Sequence, residues 1–308
     1  PATRSATAGT FTPGEWQALV LRDVAHVVAA REPHAVVLAS PALGADLAYA
    51  GGLNTLTGDG AASPETLARI CQSTTMDEAQ KLIDAHHVRY LVFTTWDPFF
   101  RVDANSRTNT FIEQLHHWNL PPWLRPIPYL LPPLSGRPSD RVVMLSVVPE
   151  QEEAGAIANL AEYFLESGDL TRAQALLPEL QRFPTDLSAV VAQAQIEFAA
   201  KPVARAAEKI RTLREAVEAQ ADQALTPAQR IDLALVLARA NADDLARPII
   251  VHCADNLTAG DVPNLSPRNL LRFLALCHYY KKEIADRQAE ALAWRLLPPG
   301  SRQRVRGS

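Results

Sequence analysis

The chain of 308 residues carries 30 Lys and Arg against 34 Asp and Glu, a formal net charge of −4, with 47% hydrophobic but only 6% aromatic residues. At about 100 to 200 residues per domain it is long enough for two cores. The even charge balance excludes the broad basic footprint that counterion release on nucleic acid needs, and the longest uncharged apolar run, Ala35 to Ala45, is interrupted by Pro41 and falls short of the roughly 20 residues that span a bilayer.

The leader, 1–14, is small and polar, with neither an initiator Met before Pro1 nor the charged-then-apolar pattern of a signal peptide, which predicts a processed or excised piece of a longer chain. From Glu15 to Arg31 apolar residues recur at helical spacing (Trp16, Leu19, Val20, Val24, Val27), with Thr12-Pro13 as cap and first-turn proline. Ala35-Val36-Val37-Leu38-Ala39-Ser40, bounded by Pro33 and Pro41, reads as a strand covered on both faces. Ser63-Pro64-Glu65 opens a helix, Met76 to His87 is a second, and Tyr90 to Thr95 is another buried strand. A strand, helices, strand unit predicts a right-handed crossover with the two strands parallel. A helix near Asn109 to Trp118 and a third strand over Arg141 to Val148 complete the first half.

Between them, Leu120 to Pro133 is so rich in proline that helix is forbidden and a central strand disfavoured, which predicts an extended loop. Its interleaved apolar residues favour packing on its own domain over service as a ligand for an aromatic groove. From Glu150 strand signals vanish. Ile157, Leu160, Ala161, Phe164 and Leu165 form one helical stripe, Ser167-Gly168-Asp169 a turn, and Leu170, Ala173, Leu177 and Leu180 a second stripe. Helices then recur around Leu187–Ala199, Val203–Ala219, Ala228–Ala240, Asp243–Ala254, Arg268–Tyr280 and Glu283–Leu296, four pairs in all.

The segment Leu160-Ala161-x-x-Phe164-x-x-x-Gly168-Asp169-x-x-x-Ala173 resembles the tetratricopeptide repeat. Aligning Ala173 with Ala206, Ala246 and Ala285 gives spacings of 33, 40 and 39 residues, and Lys201, Asn241 and Tyr280 stand where the first repeat has its glycine, which implies an irregular superhelix. The expected fold class is therefore α/β plus all-α: a small three-layer α/β domain over 15–149 with a short, mainly parallel sheet, then a tetratricopeptide-like array of helical hairpins over 150–298, with a flexible leader over 1–14 and a tail over 299–308.

Chemistry-bearing patterns are sparse. Cys71, Cys253 and Cys277 are odd in number and far apart, so neither a disulfide framework nor a thiolate zinc site is indicated. His86-His87 and His116-His117 are adjacent pairs whose rings point about 100° apart on a helix, with no carboxylate or cysteine following at i+3 or i+4, so no metal and no cofactor is expected. Arg211/Glu215 and Arg214/Glu218 are ordinary i, i+4 surface pairs. The candidate ligand cleft lies at the C-terminal strand ends, where open α/β sheets bind ligands: Ser40, Asp46 and Tyr49 after the first strand, Trp96 and Asp97 after the second. Asp46 and Asp97 could act as an acid/base pair, but the reading as turn and helix-cap residues is favoured. No G-x-G-x-x-G, Walker A or G-x-S-x-G motif occurs.

Trp16, Arg22-Asp23-x-Ala25, Val36 to Pro41, Leu47-x-Tyr49-x-Gly51-Gly52 and Glu78-Ala79 leading to Val88-Arg89-Tyr90-Leu91-Val92-Phe93 together resemble the soluble C-terminal part of multi-pass membrane glycosyltransferases of the oligosaccharyltransferase and protein mannosyltransferase type. The resemblance covers about a quarter of the chain. It implies catalytic carboxylates in a membrane part ahead of Pro1, so no catalytic residue is carried over. Trp96-Asp97 is similar to an acceptor-binding tryptophan-aspartate motif but departs from it at Pro98-Phe99. The function expected is a non-catalytic, extracytoplasmic (periplasmic) domain pair of a larger membrane protein that recognises a protein or glycan acceptor. The alternatives are a free-standing enzyme using the strand-end cleft and a cytoplasmic helical-repeat scaffold.

Overall fold

The computed structural model describes residues 12–56, 64–100, 109–129, 141–200, 213, 215 and 225–297. The expectations for the leader 1–11, the helix Val203–Ala219 apart from Leu213 and Glu215, its Arg211/Glu215 and Arg214/Glu218 pairs as pairs, Ala206 and Lys201 of the repeat alignment, Leu130 to Pro133 and the tail 299–308 lie outside the described residues. The chain is mixed α/β and mostly helical, and it divides into two compact units: Pro1–Leu124 with Tyr129–Val147, and Arg125–Pro128 with Val148–Ser308.

In the first unit α1 (Pro13–Arg31) begins with a capping box, Thr12 and Glu15 each satisfying the other's backbone amide. Its buried face is Trp16, Val20, Leu21, Val24, Ala25 and Val28. The strand β1 (Val36–Leu38) runs into α2 (Pro41–Gly51), whose N-cap is the Ser40 hydroxyl. A short strand β2 (Asn54–Thr55), α3 (Pro64–Gln72), α4 (Met76–Ala85) and β3 (Val88–Thr94) follow. Then come α5 (Phe111–His116) and β5 (Val142–Val147), with β4 (Leu124–Ile127) between them in sequence, its Arg125 to Ile127 belonging to the second unit.

The sheet order is β2-β1-β3-β5-β4. β1 pairs in parallel with both β2 and β3, Val37 lying opposite Thr55 and Tyr90, as a strand, helices, strand unit requires. The longest ladder is antiparallel, however, with Val92 of β3 opposite Met144 of β5. The sheet is mixed rather than mainly parallel because the chain enters β5 beside the exit of β3: Arg141 N donates to Thr95 Oγ1 at 2.9 Å and Thr95 N to the Arg141 carbonyl at 3.1 Å. The proline-rich segment is not all loop. It contributes the short terminal strand β4, where Pro126 is tolerated, and Trp123 is buried and stacked on Phe111 with centroids 5.9 Å apart.

The second unit is helical: α6 (Glu153–Glu166), α7 (Leu170–Ala175), α8 (Leu177–Leu180), α9 (Leu187–Ala200), α10 (Pro227–Arg239), α11 (Asp243–Asn256), α12 (Pro267–Tyr279) and α13 (Arg287–Leu296). The stripe from Leu170 to Leu180 is split at Leu176, where Pro178 starts α8. The long helices pack on one another, α6 on α9, α9 on α10, α10 most extensively on α11, and α12 on both α10 and α11. Among the described residues the hairpin turns carry a left-handed residue, Gly168 at φ 76°, Asn241 at 57° and Lys281 at 52°, so Lys281 rather than Tyr280 is the counterpart of the glycine. Ala173 and Ala246 are fully buried, but Ala285 is exposed ahead of α13 and Ala289 fills the buried position. None of the described helices is long and apolar enough to cross a membrane.

Two glycines test this packing in opposite directions. A Cβ on Gly51 would lie 2.9 Å from the carbonyl oxygen of Ala25, where α1 and α2 meet, whereas one on Gly155 inside α6 meets nothing within 4 Å. Gly51→Ala is expected to lower stability by about 1 to 3 kcal/mol, and Gly155→Ala to raise it by roughly 0.5 to 1 kcal/mol, both read as urea midpoints. Equal shifts of one sign would contradict the packing.

Candidate functional site

The strand-end residues serve different ends. Ser40 is 1% exposed and its Oγ accepts from Leu43 N at 3.3 Å, capping α2. Asp97, 6% exposed, accepts from Phe99 N on Oδ1 at 2.9 Å, capping the single turn Pro98–Phe100. Trp96 packs edge-on against Trp16 with centroids 5.5 Å apart. Asp46 is exposed on α2, and Tyr49, one turn later, is 95% exposed. Ser40 and Asp97 thus follow adjacent parallel strands, while Asp46 and Tyr49 face water. Thr94 Oγ1 and Asp97 Oδ2 are buried without hydrogen-bond partners.

A denser set of charges sits inside the helical unit, among residues the sequence reading did not single out. It is built from the longer helices: Glu162 and Glu166 from α6, Asp232 from α10, and Arg268, Asn269 and Arg272 from α12, with Ser266 as the α12 N-cap. Arg272 Nη1 donates to Asp232 Oδ1 at 2.7 Å and to Asn269 Oδ1 at 2.9 Å, and lies 4.0 Å from Glu166 Oε1. Ser266 Oγ donates to Glu166 Oε1 at 2.7 Å while accepting from Asn269 N at 3.0 Å. Asn269 Nδ2 donates to Glu162 Oε1 at 2.8 Å, and Arg268 Nη1 donates at 2.7 Å to the Leu165 carbonyl at the end of α6, which also accepts from Gly168 N at 3.2 Å.

Burial dominates the electrostatics. The Glu162 carboxyl is desolvated although the residue as a whole is only half-buried, and burial together with the Glu166 charge pushes it up to about 7 against the pull of Arg125 and Arg272. Burial likewise lifts Glu166 to about 7, offset by Arg272 and Ser266. Asp232 is raised to about 7 by burial and the Glu162 charge, with Arg272 opposing. A signal for this set does exist in the sequence. Glu162/Glu166 and Arg268/Arg272 are like-charged i, i+4 pairs, unfavourable on an isolated helix and complementary to each other, and Asp232 interrupts the apolar run Ile231 to Val236.

Two adjoining cavities lie beside the cluster. A chamber of about 20 Å³, room for one water-sized group, is lined by Glu162, Asp232 and Gln195 together with Asn159, Ser188 and Gln229. The last three also line a cavity of about 340 Å³, whose other walls include Arg125, Gln151, Asp186 and Thr226. Gln229 Nε2 donates to Ser188 Oγ at 2.7 Å where the two spaces share a wall.

Among the described residues no group of three His, Cys, Asp or Glu is arranged to hold a metal ion. His86 is the C-cap of α4, the helix end where a cationic imidazole is favoured. The three thiols are buried and unpaired, and burial pushes Cys71 and Cys277 up to about 12 and Cys253 up to about 11, which keeps them protonated and inert. Comparison of the chain with family models, with curated proteins and with solved structures finds no match in any of the three.

The raised carboxyls set a pH dependence. In the unfolded chain they titrate near 4, in the folded chain near 7, so between those values the folded state binds more protons. Stability therefore falls as pH rises through this window and levels off above it. The urea midpoint is expected to be lower at pH 8 than at pH 5.5, and Glu162→Gln, which keeps an oxygen to accept from Asn269, is expected to shrink the difference. Equal midpoints at the two pH values in the wild-type chain would contradict this.

Proposed function

We propose that the chain is a non-catalytic recognition module of a longer, glycosyltransferase-like membrane protein, standing on the extracytoplasmic face, in which a tetratricopeptide-like helical unit receives a protein or glycan acceptor. The observation that carries the recognition role is the cavity of about 340 Å³ in the helical unit, whose mixed wall combines Val148 and Pro149 with amide, hydroxyl, carboxylate and guanidinium side chains and which is of the size range of small-ligand sites. The repeat reading is supported by the stacking of α6, α9, α10 and α12 and by the left-handed residue recurring at Gly168, Asn241 and Lys281. Against chemistry in the α/β unit stands the contrast between exposed Asp46 and buried Asp97, a poor arrangement for a working carboxylate pair. The second reading, a ligand at the strand ends, draws on the unpartnered Thr94 Oγ1 and Asp97 Oδ2.

Titration of the full, isotope-labelled chain with a short threonine-containing peptide amide and, separately, with a hexose oligosaccharide distinguishes these readings. The recognition reading expects at least one of the two to shift the signals of Asn159, Ser188 and Gln229. Shifts confined to Ser40, Thr94 and Asp97, or none at all, would contradict it. The membrane-protein part of the reading expects several apolar spans of about 20 residues encoded ahead of Pro1, and a start codon directly before Pro1 would overturn it.

A further inference from the structure

Two different kinds of contact hold α12 in the helical unit. On one side Phe273 and Leu274 enter an apolar core with Ile231 of α10, Ile250 of α11 and Ala289 of α13, and no residue of α6 belongs to that core. Toward α6 the helix presents polar groups instead. Ser266 Oγ donates to Glu166, Asn269 Nδ2 to Glu162 and Arg268 Nη1 to the Leu165 carbonyl, while Arg272 Nη1 lies 4.0 Å from Glu166. Apolar packing is indifferent to protonation, whereas this second contact depends on the charge that the α6 carboxyls carry.

The carboxyls are unequally paired. Arg272 is committed to Asp232 at 2.7 Å and Arg268 to a backbone carbonyl, so the hydrogen bond that Glu162 receives comes from the neutral Asn269. Glu162 and Asp232 also line the same chamber of about 20 Å³, and α9 adds only the uncharged Gln195 and Ser188 beside them. Two carboxyls around so small a space do not both ionise readily, and one keeps its proton. Glu166 on the same helix opposes ionisation of Glu162, Arg125 of β4 and Arg272 of α12 favour it, and burial outweighs them, holding Glu162 up to about 7. Arg239 of α10 bears on Arg268 and Arg272. Opening the contact returns the carboxyls to water, where they titrate near 4, so opening releases protons. It is therefore favoured as pH rises between those two values and levels off above them. We infer that the α6–α12 contact is a proton-operated latch, shut while Glu162 carries a proton and loosened once Glu162, Glu166 and Asp232 are all ionised, with α12 remaining seated on α10, α11 and α13. The latch is independent of the recognition reading and of any occupant of the cavities.

The test is native-state hydrogen exchange on the full chain at pH 5.5 and pH 8, read as protection factors so that the pH dependence of the chemical exchange step is removed. The amides of Leu165 to Gly168 at the end of α6, and of Asn269 and Leu270 in the first turn of α12, are expected to lose protection about tenfold or more at the higher pH. Leu276 and Cys277, later in α12 and packed in the apolar core, are expected to stay within about twofold, the scale of an unlinked site. In Glu162→Gln, which removes the titrating group and keeps an oxygen to accept from Asn269, the loss at the α6 and α12 ends is expected to disappear. A carbon-13 titration of the Glu162 carboxyl in the wild-type chain tests the same point without a variant, and decides it if Glu162→Gln does not fold: its midpoint is expected well above the ordinary value near 4. An ordinary midpoint, unchanged protection in the wild type, or a loss that persists in Glu162→Gln would each overturn the latch. Equal loss at Leu276 and Cys277 would also overturn it, leaving only the pH dependence of the urea midpoint.

Discussion

Two carboxylates, Asp232 and Glu166, meet one guanidinium inside the helical unit with a third, Glu162, held beside them by Asn269, and most of what distinguishes that unit follows from them. Arg272 is 11% exposed and Asp232 7%, with Glu166 at 2% beside them. Removing such charges from water costs several kcal/mol each, and pairing returns that only where geometry is good and the remaining polar atoms are satisfied. The cluster meets the condition for Asp232 and Glu166 through Arg272 and Ser266, and meets it only in part for Glu162, whose donor is the neutral Asn269. Because the partners come from helices 40 to 107 residues apart in sequence, these contacts demand one register of α12 against α6 and α10. Apolar packing alone, through Ile231, Ala234 and Phe273, tolerates sliding more readily. The cations feel the same burial, which pulls Arg239 and Arg268 below their ordinary range with Arg272 adding its repulsion.

The α/β unit is organised by apolar contact instead. β3 is buried along its length except at Arg89, which reaches out to Glu32 at 3.2 Å, and α1 approaches α2 closely only because Gly51 lacks a side chain. Its polar content gathers at the ends of elements, where Thr12, Ser40, Thr75 and Thr110 sit at the helix starts. That concentration explains why Ser40 and Asp97 caught attention as site residues and why the same residues turn out to cap.

Most of the helices and the parallel β1 and β3 pair were legible because each rests on a local rule: apolar periodicity, a capping residue, proline in the first turn, and the handedness of a crossover; α2 was not read, because Ser40-Pro41, its cap and first turn, also marks the end of β1. Elements of two to four residues, such as β2 and β4, leave no periodicity to read. The antiparallel entry of β5 depends on Thr95 meeting Arg141, a contact absent from any local pattern. Within the repeats, Ala285 satisfied the spacing but lies before its helix, since Asp286 and not an earlier residue supplies the N-cap of α13. The charged cluster went unread for a different reason. Acidic and basic residues at i, i+4 on a helix look like solvated surface, and only the opposite signs of Glu162/Glu166 and Arg268/Arg272 hint that the two helices face each other.

The polar cavities and the cluster are one arrangement, since Glu162 and Asp232 belong to both. The helical unit confines partly compensated carboxyls around Arg272, and its stability depends on the balance of charge there. The most direct measurement is therefore urea unfolding of Arg272→Leu against the variant that combines Arg272→Leu with Glu166→Gln and Asp232→Asn. Losing the guanidinium alone strands buried carboxylates and is predicted to cost about 3 to 5 kcal/mol at pH 8, with most of that recovered in the combined variant. A single variant within about 0.5 kcal/mol of the wild type, the range of ordinary surface substitutions, would contradict the account.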